Sequence, residues 1–332
     1  MKAMLFKGER EVEIGDIPEP EPQEGDALIQ VKAMGVCGSE MGSYRGPKKE
    51  KPTPTGHEAA GIIEDPRGNS NLKEGDRVVV LAVGGCGECE YCKNGHMAYC
   101  EDVRTMGPSH CEKVAFSALC CLPIPDSMGF PLAVAVGGCG LGVGYHGVMR
   151  LSVRPDDFVV VMGVGPIGLS ATLVLNQLGA KVAAVDVVPY RLDLAEKLGA
   201  DFLINATNLD VEAAILEANN GKRPTRAVLA TSNHKATFAA LETLGPGGRM
   251  VTLGGVREWP LNVFRNLAVR DRALLGSWHY HHQDYSKMMH IVESGAPVDQ
   301  LVTHVFSFDE AAEAYKTFDS GESGKVVLSF EE

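Results

Sequence analysis

At 332 residues the chain is long enough for two domains, each with its own core. A hydrophobic fraction of 45% with 22% charged residues is ordinary for a globular protein and excludes disordered and fibrous classes. The net charge of −12 and the isoelectric point near 5.3 weigh against phosphate-backbone partners, so no nucleic acid is expected. The short, mixed stretch from Met1 to Arg10 lacks the basic-then-apolar signature of a secretion signal. Apolar runs such as Phe158 to Met162 fall far below the ~20 residues that span a bilayer. A cytoplasmic protein with no membrane partner is expected, in which nine cysteines serve metals rather than disulfides.

In chain order, residues 1 to about 145 read as strands and turns. Ala27 to Met34 and Arg77 to Ala82 are short apolar runs bounded by turn residues, as in an antiparallel or barrel-like domain. Pro18, Pro20 and Pro22 form an extended connector, and Lys48 to Pro54 a polar loop. From Arg154 the texture changes to alternating strands and helices. Strands are expected at 158–162, 181–185, 227–230, 249–253 and 273–278, with helices at 168–178, 190–198 and 236–244. This rhythm implies a doubly wound parallel sheet, an α/β architecture. Further helices are expected at 284–294 and 309–317, and strands at 302–306 and 325–330 return to the first domain. The expected division is 1–146, 147–280 and 281–332.

Gly163-Val-Gly165-Pro166-Ile167-Gly168 follows the first strand of the second half and opens a helix, the context a dinucleotide turn requires. Gly163 makes the tight turn, Gly165 admits the pyrophosphate to the backbone N–H groups, and Gly168 allows close strand–helix packing. Asp186 ends the second strand, eighteen residues on. A carboxylate there accepts ribose hydroxyls and repels a 2′-phosphate, favouring NAD over NADP. Arg191, five residues beyond, reads as a solvated helix charge at the edge of this site, able to soften that preference.

Cys86, Cys89, Cys92 and Cys100 follow the pattern C-x2-C-x2-C-x7-C, within a lobe of about residues 84–102. Four thiolates close a tetrahedron around zinc, a site that supports structure and does no chemistry. Cys111, Cys120 and Cys121 are left as buried spectators. A second set, Cys37, His57 and Cys139, offers two thiolates and an imidazole. Taken singly, each has a plain reading as a loop or core residue. Together they are three ligands with an open fourth position, the catalytic arrangement of zinc.

The signatures GVCGSE, GHE, the four-cysteine lobe, GCGLGVGYHGV, GVGPIGL and the C-terminal LVTHVFSFDEAAEAYKTFDSGESGKVVL resemble those of the zinc-dependent medium-chain alcohol dehydrogenases. The resemblance covers essentially the whole chain. It implies a GroES-like β-rich catalytic domain and a Rossmann domain with the substrate between them, two zinc ions per chain, and NAD. It makes Cys37, His57 and Cys139 the catalytic zinc ligands, Glu58 a carboxylate able to approach the metal, and Glu40 the residue orienting His57. Ser39 then passes the alcohol proton outward, and hydride goes to NAD. It also implies a homodimer or homotetramer joined near Ala273–Ser277. Cys139 is preferred to Glu58 as third ligand because Glu58 adjoins His57, and neighbouring side chains rarely point the same way.

The chain departs from the family's pattern in places. Gly42 stands where many relatives carry a histidine that completes the proton path, leaving water or Tyr44 to finish it. Glu replaces the commoner Asp at position 40. The run Trp278-His279-Tyr280-His281-His282 reads as a solvated turn capping the helix at Asp284. The expected substrate is a polar secondary alcohol such as a polyol, sugar alcohol or cyclitol, with Tyr44 and Arg45 bonding extra hydroxyls. Simple primary alcohols or an amino alcohol such as threonine are the alternatives, and a non-catalytic NAD-binding scaffold is a further one.

Overall fold

A computed structural model describes residues 1–207, 209–254 and 258–330. Its second half is built on Phe158–Met162, a run of five buried residues whose β-branched side chains need apolar cover on both faces. Helices supply that cover, and six parallel strands result. In space they run Phe202–Asn205, Lys181–Asp186, Phe158–Met162, Arg226–Leu229, Arg249–Thr252, Ala273–Gly276. The strand order reverses beside Phe158–Met162, which opens a crevice at the strands' carboxyl ends, where such sheets bind ligands.

The first half is a larger sheet ordered Cys121–Pro123, Arg77–Val80, Ala59–Asp65, Asp26–Gly35, Lys325–Ser329, Val302–Ser307, with Lys113–Ser117 also paired to Asp26–Gly35. The chain's last strand thus lies antiparallel to the strand that leads into Cys37, with Val327 opposite Gly35. A smaller sheet joins Glu11–Asp16, Lys2–Gly8 and Thr53–Pro54. The cysteine lobe stands on the short pair Val83–Gly84 and Arg104–Thr105.

Residues 130–150 overturn one expectation. They form two helices, Phe130–Gly137 and Leu141–Arg150, where the sequence suggested only strands and turns. Six glycines from 137 to 147 argue against a helix by propensity, so burial rather than local preference holds this segment helical. The glycines serve close packing: a Cβ at Gly144 would meet Ser170 Oγ at 2.1 Å, and one at Gly147 would meet Leu253 at 2.4 Å. Among the described residues this is the one helical stretch apolar and long enough to cross a membrane, and 83% of its apolar window is buried inside the fold. The glycine-turn helix starts at Pro166, two residues before the expected 168, because proline's fixed φ and missing N–H suit a first helical position.

Candidate active site

The cysteine lobe brings the sulfurs of Cys86, Cys89, Cys92 and Cys100 within 4.8 Å of one another. Backbone N–H groups point at them: Cys86 N–H donates to Cys100 Sγ at 3.4 Å and Cys89 N–H to Cys86 Sγ at 3.3 Å. Such bonds favour thiolate, and those from Cys89 and Glu88 bring Cys86 down to about 7. Burial pushes Cys92 up to about 12. A Cβ at Gly85 would strike Cys92 Sγ at 2.5 Å, so only glycine lets the loop close on the cluster. The donor set and spacing fit a structural zinc. Cys111, Cys120 and Cys121 are buried elsewhere, their thiols pushed up to about 11, 12 and 12 chiefly by burial.

The second cluster is assembled from three parts of the chain. Cys37 follows strand Asp26–Gly35 and caps the turn Gly38–Glu40. His57 and Glu58 precede strand Ala59–Asp65, and Cys139 lies between the two buried helices. Ligand atoms of Cys37, His57, Glu58 and Cys139 all lie within 4.8 Å of one another. His57 Nε2 is 3.3 Å from Cys139 Sγ, and its Nδ1 is 3.2 Å from Glu40 Oε1. Ser39 Oγ donates to Cys37 Sγ at 3.3 Å. The hydrogen bond shared with Cys139 holds Cys37 well below the usual thiol range, against the effect of burial, and raises Cys139. Burial pulls His57 down, but Cys37 and Glu40 outweigh it and push the imidazole up to about 11.

Glu58 shows why the argument from neighbouring side chains fails. The strand begins only at Ala59 and Gly56 has φ +101°, so the in–out alternation of a strand does not apply at 57–58 and both side chains face the cluster. Glu58 is fully buried, with Oε1 on Lys325 Nζ at 2.6 Å, and Lys325 also donates to Val36 O at 3.1 Å. Burial raises Glu58 to about 7 despite the lysine. Its Oε2 is buried and has no partner among the described residues. A buried unpaired carboxylate oxygen beside two sulfurs and an imidazole fits a bound cation.

In the crevice of the parallel sheet, Gly163 has φ +86°, and a Cβ at Gly168 would sit 2.0 Å from Gly163 O, so both positions require glycine. Asp186 is fixed by three backbone donors: Val164 N–H to Oδ2 at 2.8 Å, and Val187 and Val188 N–H to Oδ1 at 2.7 and 3.1 Å. A cavity of about 420 Å³ is lined by Gly163, Gly165, Asp186, Arg191, Asn233 and Lys235, among others. Arg191 is therefore no solvated surface charge. It lies over the glycine turn, its Nε buried with no partner among the described residues, and burial lowers its pKa against the pull of Asp186. A smaller cavity of about 120 Å³ joins the two sites: Gly165, Pro166 and Ile167 of the turn face it together with Cys37, Cys139 and Lys325.

A third cavity, of about 490 Å³, opens on the metal-type cluster and is lined by Ser39, Ser43, Thr55, His57, Thr105 and His279 among others. Two expected residues are elsewhere. Tyr44 is buried against Phe6 and Tyr315, and Arg45 turns outward to pair with Asp319 at 2.5 Å. Neither lines this cavity. The turn at 278–282 is also not solvated as expected. Trp278 and His282, at its two ends, are exposed, while between them Tyr280 is buried and donates to Gly137 O at 2.5 Å. His281 is buried, and its N–H is bound by Asp284, so the capping half of that reading stands. His279 holds φ +54° and turns toward His57, ring centroids 6.5 Å apart.

Comparison with known proteins places this geometry. Residues 23–126 match the family model described as alcohol dehydrogenase GroES-like domain, and 166–294 match zinc-binding dehydrogenase. An uncharacterized zinc-type alcohol dehydrogenase-like protein of Escherichia coli K12, YphC, is 30% identical with 99% of each chain covered. The chain belongs to the zinc-type medium-chain alcohol dehydrogenase family. An L-threonine 3-dehydrogenase of Shewanella putrefaciens is 28% identical over the full length of both chains. Among solved structures, alcohol dehydrogenase TADH from Thermus sp. ATN1 superposes with a TM-score of 0.90 at 29% identity, covering all of each chain. The protein is thus an NAD-dependent zinc oxidoreductase acting on CH–OH groups, with zinc and NAD as its cofactors.

Two outcomes follow for this dehydrogenase. A mild chelator should strip an ion from the cluster of Cys37, His57, Glu58 and Cys139, on which a cavity opens, before one from the four-thiolate lobe. Zinc returning to the stripped site must displace the protons held on His57 and Cys139, so its affinity should fall as pH is lowered. Calorimetry in buffers of different ionisation enthalpy should count about two protons released per zinc at pH 7, and a count of zero would contradict the ligand set. Asp186→Ala should weaken NAD binding by ~1–3 kcal/mol, the scale of hydrogen bonds to a charged group. NADP should lose less or improve, and a wild type that prefers NADP would show the carboxylate is not the discriminator.

Proposed function

We propose that this dehydrogenase oxidises a neutral, polar secondary alcohol of the polyol, sugar-alcohol or cyclitol class to the carbonyl. In this reading Cys37, His57 and Cys139 hold the catalytic zinc, and Cys86, Cys89, Cys92 and Cys100 a structural one. Bound there, zinc supplies Lewis acidity toward the substrate oxygen, and NAD on the Gly163–Gly168 turn supplies the hydride acceptor. The cavity shared by the turn and Cys37 and Cys139 supports that juxtaposition. Ser39, on the wall of the larger cavity, takes the alcohol proton. Gly42 offers no side chain to receive it, so Ser43, Thr55 and water in the cavity carry it on.

The observation that carries the substrate class is the lining of the 490 Å³ cavity. Hydroxyls of Ser39, Ser43, Thr55 and Thr105 and the imidazole of His279 face it, and among the described residues no lysine or arginine lines it. Lys49 is not on its wall; it stands behind Ser43, donating to the hydroxyls of Ser43 and Thr53 at 2.7 and 2.5 Å, with its Nζ 5.8 Å from the Phe6 ring. A zwitterion such as threonine needs a cation for its carboxylate, whereas a polyol needs only neutral donors and acceptors. Burial pushes His279 down to about 4, so it is neutral at physiological pH, and its Nδ1 is buried with no partner among the described residues. A non-glycine residue held at φ +54° is one whose placement its surroundings enforce. We assign His279 to a second hydroxyl of the substrate.

The threonine reading keeps one support, the 28% identity to L-threonine 3-dehydrogenase. We further infer a homo-oligomer in the cytoplasm, in keeping with the exposed Val263, Phe264 and Val269, which precede the edge strand Ala273–Gly276.

Comparing kcat/KM for a polyol series, straight-chain alcohols and threonine decides the substrate. A polyol preference is expected, and a clear preference for hexanol or threonine rules it out. His279→Phe should lower kcat/KM for the polyol roughly three- to tenfold, the range of one neutral hydrogen bond, and leave simple alcohols little changed. Equal losses for both would remove His279 from substrate binding.

A further inference from the structure

Tyr315 and His110 belong to no motif of the catalytic centre, yet both reach it from behind. Tyr315 lies on helix Ala311–Ser320 near the end of the chain and is fully buried. Its hydroxyl donates to Glu40 Oε2 at 2.5 Å, and the same oxygen accepts Cys37 N–H at 3.2 Å. The other carboxylate oxygen, Oε1, stands 3.2 Å from His57 Nδ1. His110 is also fully buried, with Nε2 3.0 Å from Gly35 O and Nδ1 3.3 Å from Tyr315 Oη. Because Gly35 O can only accept, Nε2 carries the imidazole proton and Nδ1 is an acceptor. The single phenolic proton therefore has two acceptors, and the carboxylate is the stronger.

A glutamate arm has one more rotatable bond than an aspartate, so its carboxylate is not placed by the backbone alone. Without Tyr315, Oε2 would rest on one long N–H bond in a buried site. The phenol ring is fixed independently of its hydroxyl, edge-on to Phe6 at 4.9 Å and tilted on Tyr44 at 5.3 Å. The hydroxyl is thus a fixed point and the carboxylate the part that needs fixing.

We propose that Tyr315 is a positioning residue for the catalytic metal centre, pinning the Glu40 carboxylate so that His57 presents Nε2 to the ion. The inference rests on the assignment of His57 as a zinc ligand. Residues of this kind act on metal affinity, since the groups that orient a ligating histidine set its direction and basicity.

The test uses full-length protein stripped at the catalytic site, with the four-thiolate zinc retained as an internal standard. Tyr315→Phe keeps the ring and its packing, so the fold should persist and NAD should bind as in wild type. Its zinc affinity at the stripped site, measured against a chromophoric chelator, should fall about tenfold or more. The visible spectrum of cobalt(II) placed in that site should shift. Glu40→Asp withdraws the carboxylate from the phenol and should cost affinity on the same scale. Adding Tyr315→Phe to Glu40→Asp should then cost little more, because both changes cut one connection. Wild-type affinity with an unchanged cobalt spectrum in Tyr315→Phe overturns the proposal, as do fully additive losses in the double variant. If Tyr315→Phe does not fold, undiminished affinity in Glu40→Asp overturns it alone. A wild type that rebinds no second zinc would instead refute the His57 assignment, so the two failures are distinguishable.

Discussion

Negative charge concentrated in a buried pocket governs this molecule. Two sulfurs, an imidazole and a carboxylate crowd within 4.8 Å, and Glu58 among them is fully buried. Isolated ionised groups are costly to bury, so burial pushes Glu58 and Cys139 toward their neutral forms and cations meet the charge that remains. Lys325 provides one from the last strand, bound to Glu58 Oε1 at 2.6 Å. Breaking a buried pair of this kind by removing one partner costs about 3–5 kcal/mol, because the other charge is left alone. The unpaired Glu58 Oε2 and the convergent sulfurs are what a metal ion would complete.

Much of the topology follows from delivering those groups to one place. Cys37 follows a strand of the first sheet, Cys139 lies between two helices whose glycines allow close packing, and Tyr315 and Lys325 come from the helix Ala311–Ser320 and the strand Lys325–Ser329. The last strands therefore return to the first sheet for a chemical reason as well as a structural one. The antiparallel pairing of Lys325–Ser329 with Asp26–Gly35 sets Val327 opposite Gly35 and brings Lys325 and Glu58 together behind Cys37. On the other side, the Gly163–Gly168 turn faces the same small cavity as Cys37 and Cys139, which is the proximity a hydride transfer requires.

The strand–helix rhythm, five of the six strands of the parallel sheet and the glycine turn are legible in the sequence because each rests on local periodicity and on turn chemistry, whereas the short, half-exposed edge strand Phe202–Asn205 is not. The four-cysteine lobe was equally plain, since its ligands are close in the chain. What escaped is what depends on distant contacts. Tyr315 and His110 lie 275 and 70 residues from Glu40 with no spacing to connect them. Arg191 looks like a helix surface charge until the fold lays it over Gly165. Tyr44 and Arg45 lie beside the ligand turn in sequence, which suggests substrate contacts, but a short helix, Met41–Arg45, carries one inward and the other outward. His279 was discounted as part of a solvated turn, and a signal for it was present: five consecutive aromatic or imidazole residues, 278–282, are too costly to expose together.

The central claim is that Cys37, His57 and Cys139 hold a zinc ion distinct from the one in the cysteine lobe. A crystal of the full-length protein measured on both sides of the zinc absorption edge tests it most directly. The account predicts two anomalous-difference peaks per chain, one enclosed by Cys86, Cys89, Cys92 and Cys100 and one bounded by Cys37 Sγ, His57 Nε2 and Cys139 Sγ. A single peak in the lobe, or a second ion held by Glu58 with Cys139 standing free, would contradict it.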